Sequence, residues 1–471
     1  MFAYLASALL GATALIGFNA NAQQATNAAE ILEQRPRHVI LIIGDGMDDQ
    51  QITIARNYLK GATGRLLLDQ LPVRSTAQVL TVKDEVDGTP VYVADSANTA
   101  TSMATGVVTS RGRIATTAGS DEDITTIVEL AEAAGYRSGL VTTASVTDAT
   151  PSAFATHISF RLCENPELME EVVYKDIHLG ECNADSKANG GPGSIAEQLA
   201  SSTLDVILGG GRKHFTPLAE GSEKTVLEIA TDNGFQHLSN AAELEAASMG
   251  TPLLGLFSKS TLPVRLRGEN KRAAEEVETS LLHSVHDYLG EATLPEPMHC
   301  EPNPKFASVP SLKQMTDTAL AHLSHDNATG FFLMIESASI DKQSHERKPC
   351  GSIGELEQLE EALQSALVFA ESNPDTLILV TADHGQAAQI IPFESLFSAY
   401  PIPVYPPGKI ARLFTPEGSH MTVNYATSNF FMEEHTGANV PLFSNAVGQG
   451  IVPAFIQQTE LFTISKNYLG L

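Results

Sequence analysis

Continuous apolar runs recur along the chain and alternate with segments of helical periodicity. Such runs are typical of β-strands buried on both faces of a sheet. The periodic segments predict helices over residues 124–134, 355–372 and 455–469. The alternation predicts an α/β fold: a three-layer sandwich with a large, mostly parallel central sheet flanked by helices. The predicted strands are residues 38–43, 138–143, 204–208, 331–335 and 376–381.

Carboxylate, hydroxyl and imidazole side chains follow closely after several of these strands. In open α/β sheets, ligands bind outside the carboxyl ends of the strands, so we expect the active site at that edge. Oxygen ligands and histidines gathered there indicate metal ions. The residues in these positions are Asp45, Asp148, Thr150, Glu336, Asp383 and His384.

A serine stands behind an acid and ahead of small residues in the segment 94–100. Residues Ser96–Thr105 predict a helix that Gly106 ends, which places Ser96 at or near the helix N-terminus. The free N–H groups and positive dipole of that end favour an anion, so Ser96 is a candidate nucleophile towards a phosphate. The alternative is an ordinary N-cap serine, and the segment taken alone favours it.

The first 22 residues predict a signal peptide, with an apolar run over residues 5–18 and an A-x-A cleavage site at Ala20-Asn21-Ala22. A polar leader follows over residues 23–36. The apolar run is short for a membrane span. We therefore expect a periplasmic or secreted protein that has no membrane span after the signal peptide is cleaved.

The remaining chain, residues 37–471, is interpreted as a single catalytic domain. Residues 212–310 are harder to assign, because helical segments such as residues 271–288 alternate there with proline-containing connections. We interpret this part as an insertion or lid-like region.

The chain carries 29 basic and 56 acidic residues, a formal net charge of −27. Such a surface repels nucleic acid and anionic membranes, so no nucleic-acid-binding surface is expected. It would also repel an anionic substrate. A site for such a substrate therefore needs strong local positive charge.

Four cysteines fit an exported protein: Cys163, Cys182, Cys300 and Cys350. Four cysteines allow three pairings. A Cys163–Cys182 disulfide bond closes a short loop and is the preferred pairing, which leaves Cys300 with Cys350. A cysteine metal site is the alternative, but the sequence has no Cys-x-x-Cys spacing, so disulfides are favoured.

Histidines and carboxylates also form sets that suit metal ions. Asp341 and His345 are four residues apart, so one helical turn would place both on the same face. With His435 they offer a zinc site that has an open fourth position. A second set of this kind is Asp45, Asp383 and His384. A third set offers the oxygen ligands that Mg²⁺ prefers and contains Asp45, Thr150 and Glu336.

Several segments together resemble alkaline phosphatases of the bacterial periplasmic type. They follow the family's order from near Arg37 to the C-terminal region, with the weakest coverage over residues 212–310 and 390–430. The two favoured cysteine pairs also resemble the family's disulfides. The matching segments are residues 44–47, 95–97, 147–151, 335–345, 380–384 and 434–437, with Arg161 downstream of the third.

The resemblance implies hydrolysis of phosphate monoesters to an alcohol and inorganic phosphate, with two zinc ions and one magnesium ion as cofactors. Ser96 would be the nucleophile that forms a phosphoserine intermediate, and its oxygen would bind the second zinc. Arg161 would hold the phosphoryl oxygens, while Asp148 and Lys342 would tune magnesium and phosphate binding. A homodimer is implied by the family alone. The three implied metal sets are those described above.

Elementary chemistry supports the same reading, because a serine hydroxyl needs a base or a metal ion to become a strong nucleophile. Phosphodiesterases and related hydrolases of the same superfamily are the alternative. A sulfatase would need an arginine shortly after the nucleophile, and residues 97–100 contain none. A non-catalytic exported binding protein is a further alternative, but such a protein would be expected to lack Ser96 or a zinc ligand.

Overall fold

A ten-stranded sheet runs through the molecule. The computed structural model describes residues 35–286, 289–392 and 407–471. The strands of the sheet in chain order are β1 (Arg37–Gly44), β2 (Val73–Gln78), β3 (Arg137–Ser145), β4 (Val206–Gly210), β5 (Gln236–Leu238), β6 (Leu253–Leu256), β7 (Gly330–Ser337), β8 (Thr376–Ala382), β9 (Val440–Ser444) and β10 (Phe455–Gln457).

Across the sheet the strands lie in the order β10-β2-β9-β8-β1-β7-β3-β4-β6-β5. Neighbours from β8 to β5 are all parallel. β9 runs antiparallel to both β8 and β2, and β2 pairs in parallel with β10. The sheet is therefore mostly parallel, as the unbroken apolar runs predicted, because strands buried on both faces need no alternation of polar residues.

Helices flank the sheet in two separate groups, which confirms the predicted three-layer sandwich. One group contains α1, α9, α10 and α11, and the other contains α2, α3, α4 and α12. The helices in chain order are α1 (Asp49–Lys60), α2 (Ser96–Thr105), α3 (Ile127–Ala133), α4 (Ala149–Ser152), α5 (Ile195–Ala200), α6 (Arg212–Phe215), α7 (Val226–Asp232), α8 (Ala241–Glu245), α9 (Leu312–Ser324), α10 (Ser339–His345), α11 (Pro349–Ser372) and α12 (Glu460–Leu469).

Smaller sheets lie outside the central one. A four-stranded sheet has the order Glu275–Glu276, Lys409–Phe414, His420–Tyr425, Gln389–Ile391. The two-stranded pairs are Thr81–Val82 with Pro90–Val91, Val172–Tyr174 with Ile177–Gly180, Leu266–Gly268 with Cys300–Pro302, and Glu278–Thr279 with Ala292–Thr293.

The predicted helix over residues 271–288 is wrong. The described part of that segment contains Glu275–Glu276 and Glu278–Thr279 as strands and Leu281–Ser284 as a short 3₁₀ helix. The two strands pair with Lys409–Phe414 and Ala292–Thr293, so partners distant in sequence override the local helical preference.

The predicted helix over residues 455–469 begins only at Glu460, because Phe455–Gln457 pairs as a strand with β2. Two strands within residues 212–310, β5 and β6, extend the central sheet at one edge. The assignment of residues 212–310 as an insertion, like the division of the chain as a whole, stays a prediction.

The signal peptide over residues 1–22 and nearly all of the leader over residues 23–36 lie outside the described residues. Among the helices that the structure describes, none has both the length and the apolar character needed to cross a membrane. Both favoured disulfides are present, since Cys163 is bonded to Cys182 and Cys300 to Cys350.

Strands β1, β7 and β8 end level with one another at the carboxyl edge. Gly44 is in register with Ser337 on one side and with Ala382 on the other. The residues at or just beyond these ends, Asp45, Glu336 and Asp383, are therefore brought together. The parallel register is what assembles the site.

A buried histidine near the start of β1 gives the fold a predicted acid sensitivity. His38 is 2% exposed, with its ring centroid 4.4 Å from that of Phe331 and 5.3 Å from that of Phe369. Among the described residues, neither ring nitrogen has a hydrogen-bond partner. Burial lowers the pKa of His38 from 6.5 to about 4.

Between pH 6.5 and pH 4, His38 is protonated in the unfolded chain but stays neutral in the folded protein. The free energy of unfolding therefore falls as the pH drops through this range. We expect His38→Leu to reduce the loss of unfolding free energy between pH 7 and pH 4 by up to about 3 kcal/mol. Urea unfolding of both proteins at the two pH values measures this. The matched control is His178→Leu at an exposed position, which should leave the loss unchanged. Equal losses in wild type and His38→Leu would contradict the prediction.

Candidate active site and metal centres

Ser96 begins helix α2 and is not its cap. Asp95 is the N-cap: its side chain accepts from the Asn98 N–H, while the Asn98 side chain accepts from the Asp95 N–H. The cap position that the sequence left open for Ser96 is thus filled by its neighbour. The Ser96 side chain is therefore not needed as a cap. Ser96 is buried, with 4% of its surface exposed.

Three oxygen-bearing side chains converge on the same nitrogen, Nε2 of His384. Ser96 Oγ lies 3.2 Å from it, Asp383 Oδ2 3.3 Å and Asp45 Oδ1 3.4 Å. The other ring nitrogen, Nδ1, faces the Gly385 carbonyl oxygen at 3.3 Å. In a Ser-His-Asp triad the carboxylate would accept from Nδ1. The arrangement here is instead that of ligands around a common centre.

Each of the two carboxylates of this set has one buried oxygen without a hydrogen-bond partner among the described residues. Asp383 Oδ1 accepts from the N–H groups of Gly46 at 2.9 Å and His384 at 2.8 Å. Gly46 makes this possible with a φ of +68°, which turns the chain sharply after β1. Asp383 Oδ2 and Asp45 Oδ1 are buried and have no hydrogen-bond partner among the described residues. Buried oxygens without partners are costly unless a cation satisfies them.

Electrostatics at Asp45 support a cation at this position. Burial and then the nearby carboxylates of Asp383, Asp341 and Glu336 raise the pKa of Asp45 well above its ordinary value. Lys342 opposes this rise in the Asp45 pKa but does not cancel it. A divalent ion placed among these oxygens would reverse the shift.

The second cluster contains Asp341, His345 and His435. Helix α10 places Asp341 and His345 on one face, as their spacing predicted. His345 Nε2 lies 3.0 Å from His435 Nε2 and 3.2 Å from Asp341 Oδ2, and His435 Nε2 lies 3.4 Å from Asp341 Oδ1. Ligands about 2.0–2.1 Å from a tetrahedral zinc ion are separated by about 3.3 Å. The three side chains therefore have the spacing of a zinc site.

All three histidines of the site point Nε2 inwards and Nδ1 towards a backbone carbonyl oxygen. His435 Nδ1 lies 2.8 Å from Ala94 O, and His345 Nδ1 contacts Glu433 O. A histidine that binds a metal ion usually donates its other N–H to such a carbonyl. For His345 and His435 this orientation was not readable from the sequence, because the carbonyl oxygens come from distant segments.

The predicted magnesium ligands share the same edge. Glu336 is in register with Thr142, whose hydroxyl donates to Glu336 Oε2. Burial raises the pKa of Glu336 to about 7, against the opposing effect of the Thr142 and Thr150 hydroxyls. Thr150 lies in helix α4 and is buried. Glu336, Thr150 and Asp45 thus offer oxygen ligands to a hard cation.

Two cationic side chains are held by the carboxylate of Asp148. Arg161 Nη2 donates to Asp148 Oδ1 at 2.9 Å, and Arg161 Nη1 donates to Asp95 Oδ2 at 3.3 Å. Lys342 Nζ donates to Asp148 Oδ2 at 2.6 Å. Against the opposing effect of burial, Lys342 and Arg161 hold the pKa of Asp148 well below its usual range. Asp148 therefore stays ionised and positions both cations.

A cavity of about 460 Å³ connects these groups to solvent. Its wall includes Ser96, Arg161, Lys342, His345 and His435. Of the residues predicted from the sequence, Asp341 also lines the cavity, while His384 contacts the lining residue Ser96 and Asp148 contacts Arg161 and Lys342. The chemistry such a set supports is attack by a hydroxyl on a phosphorus or a comparable electrophile, with cations around the reacting oxygens.

Other residues that shape the site were not predicted. Gln386 is buried, and its Nε2 donates to Asp341 Oδ1 at 2.6 Å. The Gln386 N–H in turn lies 3.2 Å from Asp48 Oδ2, and Asp48 is the N-cap of helix α1. A glutamine near a histidine carries no sequence signal of its own. Only the fold shows that it orients a carboxylate of the site.

Comparison with known proteins places these observations in a family. The sequence profile of the alkaline phosphatase family matches residues 36–404. The chain is 39% identical over 449 residues to alkaline phosphatase of Escherichia coli (strain K12), covering 93% of this chain and 88% of that protein. It is 38% identical over 475 residues to streptomycin-6-phosphate phosphatase of Streptomyces griseus, covering 98% and 97% respectively.

Solved structures show the same fold. Alkaline phosphatase from the Antarctic bacterium TAB5 matches with a TM-score of 0.64 and 21% identity, over 92% of this chain and 98% of that one. A mutant of that enzyme with magnesium bound in its M3 site matches with a TM-score of 0.61 and 22% identity, over 93% and 98%.

Proposed function

The chain belongs to the alkaline phosphatase family, and from that premise we propose that it hydrolyses phosphate monoesters through a phosphoserine on Ser96, using two zinc ions and one magnesium ion. The observation that carries the mechanism is the convergence of Ser96 Oγ, Asp45 Oδ1 and Asp383 Oδ2 on His384 Nε2. This convergence supports Ser96 as a nucleophile that shares its surroundings with metal ligands. It also leaves two buried carboxylate oxygens for a cation to satisfy.

The donor sets fit the proposed ions. When bound, zinc ions at these positions would favour ionisation of the serine hydroxyl and of water, and would stabilise the attacking and leaving oxygens of an in-line displacement. The structure of the TAB5 mutant with bound magnesium supports a magnesium site in this fold. One zinc ion would be held by Asp341, His345 and His435, whose ligand atoms contact one another. The other would be held by Asp45, Asp383 and His384, and magnesium by Asp45, Thr150 and Glu336.

The residues of the chain have separate tasks in the reaction. The Ser96 oxygen forms a bond to phosphorus as the bond from phosphorus to the alcohol oxygen breaks, and the alcohol leaves with a proton. Water then displaces Ser96 from phosphorus, which releases inorganic phosphate and restores the hydroxyl. Free N–H groups at the start of helix α2 favour the phosphoryl oxygens during both steps.

Arg161 orients the phosphoryl group. Arg161 Nη1 donates one N–H to Asp95, and Nη2 donates one N–H to Asp148. Each of these nitrogens has a second N–H that can donate to the substrate. This fork suits two phosphoryl oxygens at once. Because Asp95 also caps the helix of Ser96, the arginine and the nucleophile share one support.

A preference for monoesters over diesters tests the function. Arg161 and Lys342 add positive charge that a dianionic monoester uses better than a monoanionic diester. We expect kcat/KM for p-nitrophenyl phosphate to exceed that for bis-p-nitrophenyl phosphate by about a hundredfold or more. Initial rates on both esters at alkaline pH measure the ratio. A preference for the diester would assign the chain to the phosphodiesterase alternative.

The proposal also includes export and assembly. Cleavage of residues 1–22 would release a periplasmic or secreted enzyme, and the two disulfides suit that compartment. The enzyme would act as a homodimer on small-molecule phosphate monoesters. Cell fractionation with N-terminal sequencing tests export, and light scattering of the purified protein tests the dimer.

A further inference from the structure

An arginine that the mechanism does not use stands at the same cavity. Arg111 is an exposed residue, and it lines the cavity together with Ser96 and Arg161. Its guanidinium makes no ion pair and no hydrogen bond with the residues that the structure describes. Arg65 likewise has no ion-pair partner among the described residues, so the feature that distinguishes Arg111 is its place at the cavity beside Ser96.

The backbone beside Arg111 is fixed relative to the nucleophile. The Gly112 N–H lies 3.2 and 3.1 Å from the two carboxylate oxygens of Asp95, the cap of the Ser96 helix. The Gly112 carbonyl oxygen accepts from the Arg161 N–H at 2.7 Å. Gly112 has a φ of +85°, a conformation that glycine adopts without strain. Arg111 is therefore held at a set place on the rim.

Arg113, in the same loop, differs from Arg111 in that carboxylates of the protein neutralise its charge. Arg113 is 8% exposed, donates from Nε to Asp84 Oδ1 at 2.7 Å and also pairs with Asp121. Its charge is fully used within the protein. Arg111, two residues earlier, keeps its charge and its planar fork available to a ligand.

None of the acidic residues described at the same rim forms an ion pair with Arg111. Glu346 is paired with Lys348. Glu434 belongs to the loop that carries His435, whereas Arg111 belongs to the loop tied to Asp95 and Arg161. Asp95, the acidic wall residue nearest to Arg111 in sequence, is paired with Arg161.

We propose that Arg111 binds a second anionic oxygen group on the alcohol part of the substrate. The preferred substrates would then be phosphate monoesters of hydroxy acids or of other alcohols that carry a second oxyanion. This rests on the proposed monoesterase function. The guanidinium fork matches a carboxylate or a second phosphate in a bidentate geometry that a neutral alcohol cannot offer.

Two esters of the same size test the inference. 2-Phosphoglycerate and glycerol 2-phosphate differ in that the first carries a carboxylate where the second carries a hydroxymethyl group. We expect Arg111→Gln to raise KM for 2-phosphoglycerate about fivefold with little change in kcat. KM for glycerol 2-phosphate should stay within about twofold of wild type. Arg65→Gln is the matched control, because this substitution removes the same charge. Arg65 is exposed and is not among the residues that line the cavity.

The outcomes separate the inference from the function on which it rests. Equal changes in KM for both esters, or no change for either, would overturn the role of Arg111 while leaving the monoesterase intact. If Arg65→Gln raised KM for 2-phosphoglycerate by the same factor, the effect would come from net charge, and the role of Arg111 would also be overturned. A wild-type enzyme with bound metals that hydrolyses neither ester would overturn the proposed function itself.

Discussion

Ser96→Ala is expected to lower kcat for p-nitrophenyl phosphate by at least about a thousandfold. The substitution removes the oxygen that would accept the phosphoryl group, 3.2 Å from His384 Nε2, and leaves Asp95 as the helix cap. The fold should therefore persist. Steady-state rates measure the loss, and mass spectrometry after acid quenching detects the phosphate adduct on the wild-type chain.

Ser102→Ala is the matched control for that experiment. Ser102 lies in the same helix, is equally buried and donates to the backbone carbonyl oxygens of Asn98 and Val107 instead of facing the cavity. Its replacement should leave kcat within about twofold of wild type. A phosphate adduct that survives in Ser96→Ala would show that another residue is the nucleophile.

Removal of all metal ions is expected to abolish inorganic phosphate binding as well as turnover. Without cations, the site has more negative than positive side chains, within a chain of net charge −27. Such a site repels a phosphate dianion, whereas three divalent cations would reverse its sign. The charged groups concerned are the carboxylates of Asp45, Asp148, Glu336, Asp341 and Asp383 and the cations of Arg161 and Lys342.

Calorimetric titration of phosphate into chelated protein measures this loss, and re-addition of zinc and magnesium should restore binding. Chelator already saturated with both metals is the control for its direct effects on the protein. Circular dichroism would verify that the disulfide-bonded fold persists. Tight phosphate binding by protein that metal analysis shows to be empty would contradict the charge argument.

Local sequence was a reliable guide where one physical constraint dominates. Strands β1, β7 and β8 are unbroken apolar runs because both of their faces are buried, so their positions could be predicted to within about two residues. The spacing of Asp341 and His345 predicted a shared helical face, and helix α10 confirms it.

The same reasoning failed where a distant partner decides the structure. The segment over residues 271–288 has helical character, yet it forms strands because Lys409–Phe414 and Ala292–Thr293 are available to pair with it. Phe455–Gln457 likewise becomes a strand because it lies beside β2. The hydrogen-bond partners of such segments cannot be read from the segments themselves.

By itself the sequence determined the α/β architecture, the candidate ligands and Ser96 as the candidate nucleophile, because apolar patterning and residue chemistry are local properties. The tertiary structure decided which oxygens of Asp45 and Asp383 lack a partner among the described residues, which nitrogen of each site histidine faces inwards, and that Asp95 rather than Ser96 caps the helix. It also placed Gln386 against Asp341 and brought Arg111, which has no ion-pair partner among the described residues, to the cavity. Contacts such as those of Gly46 with Asp383 and of Ala94 with His435 join residues more than 300 positions apart and depend on how the strands and loops are assembled, which local patterns do not encode.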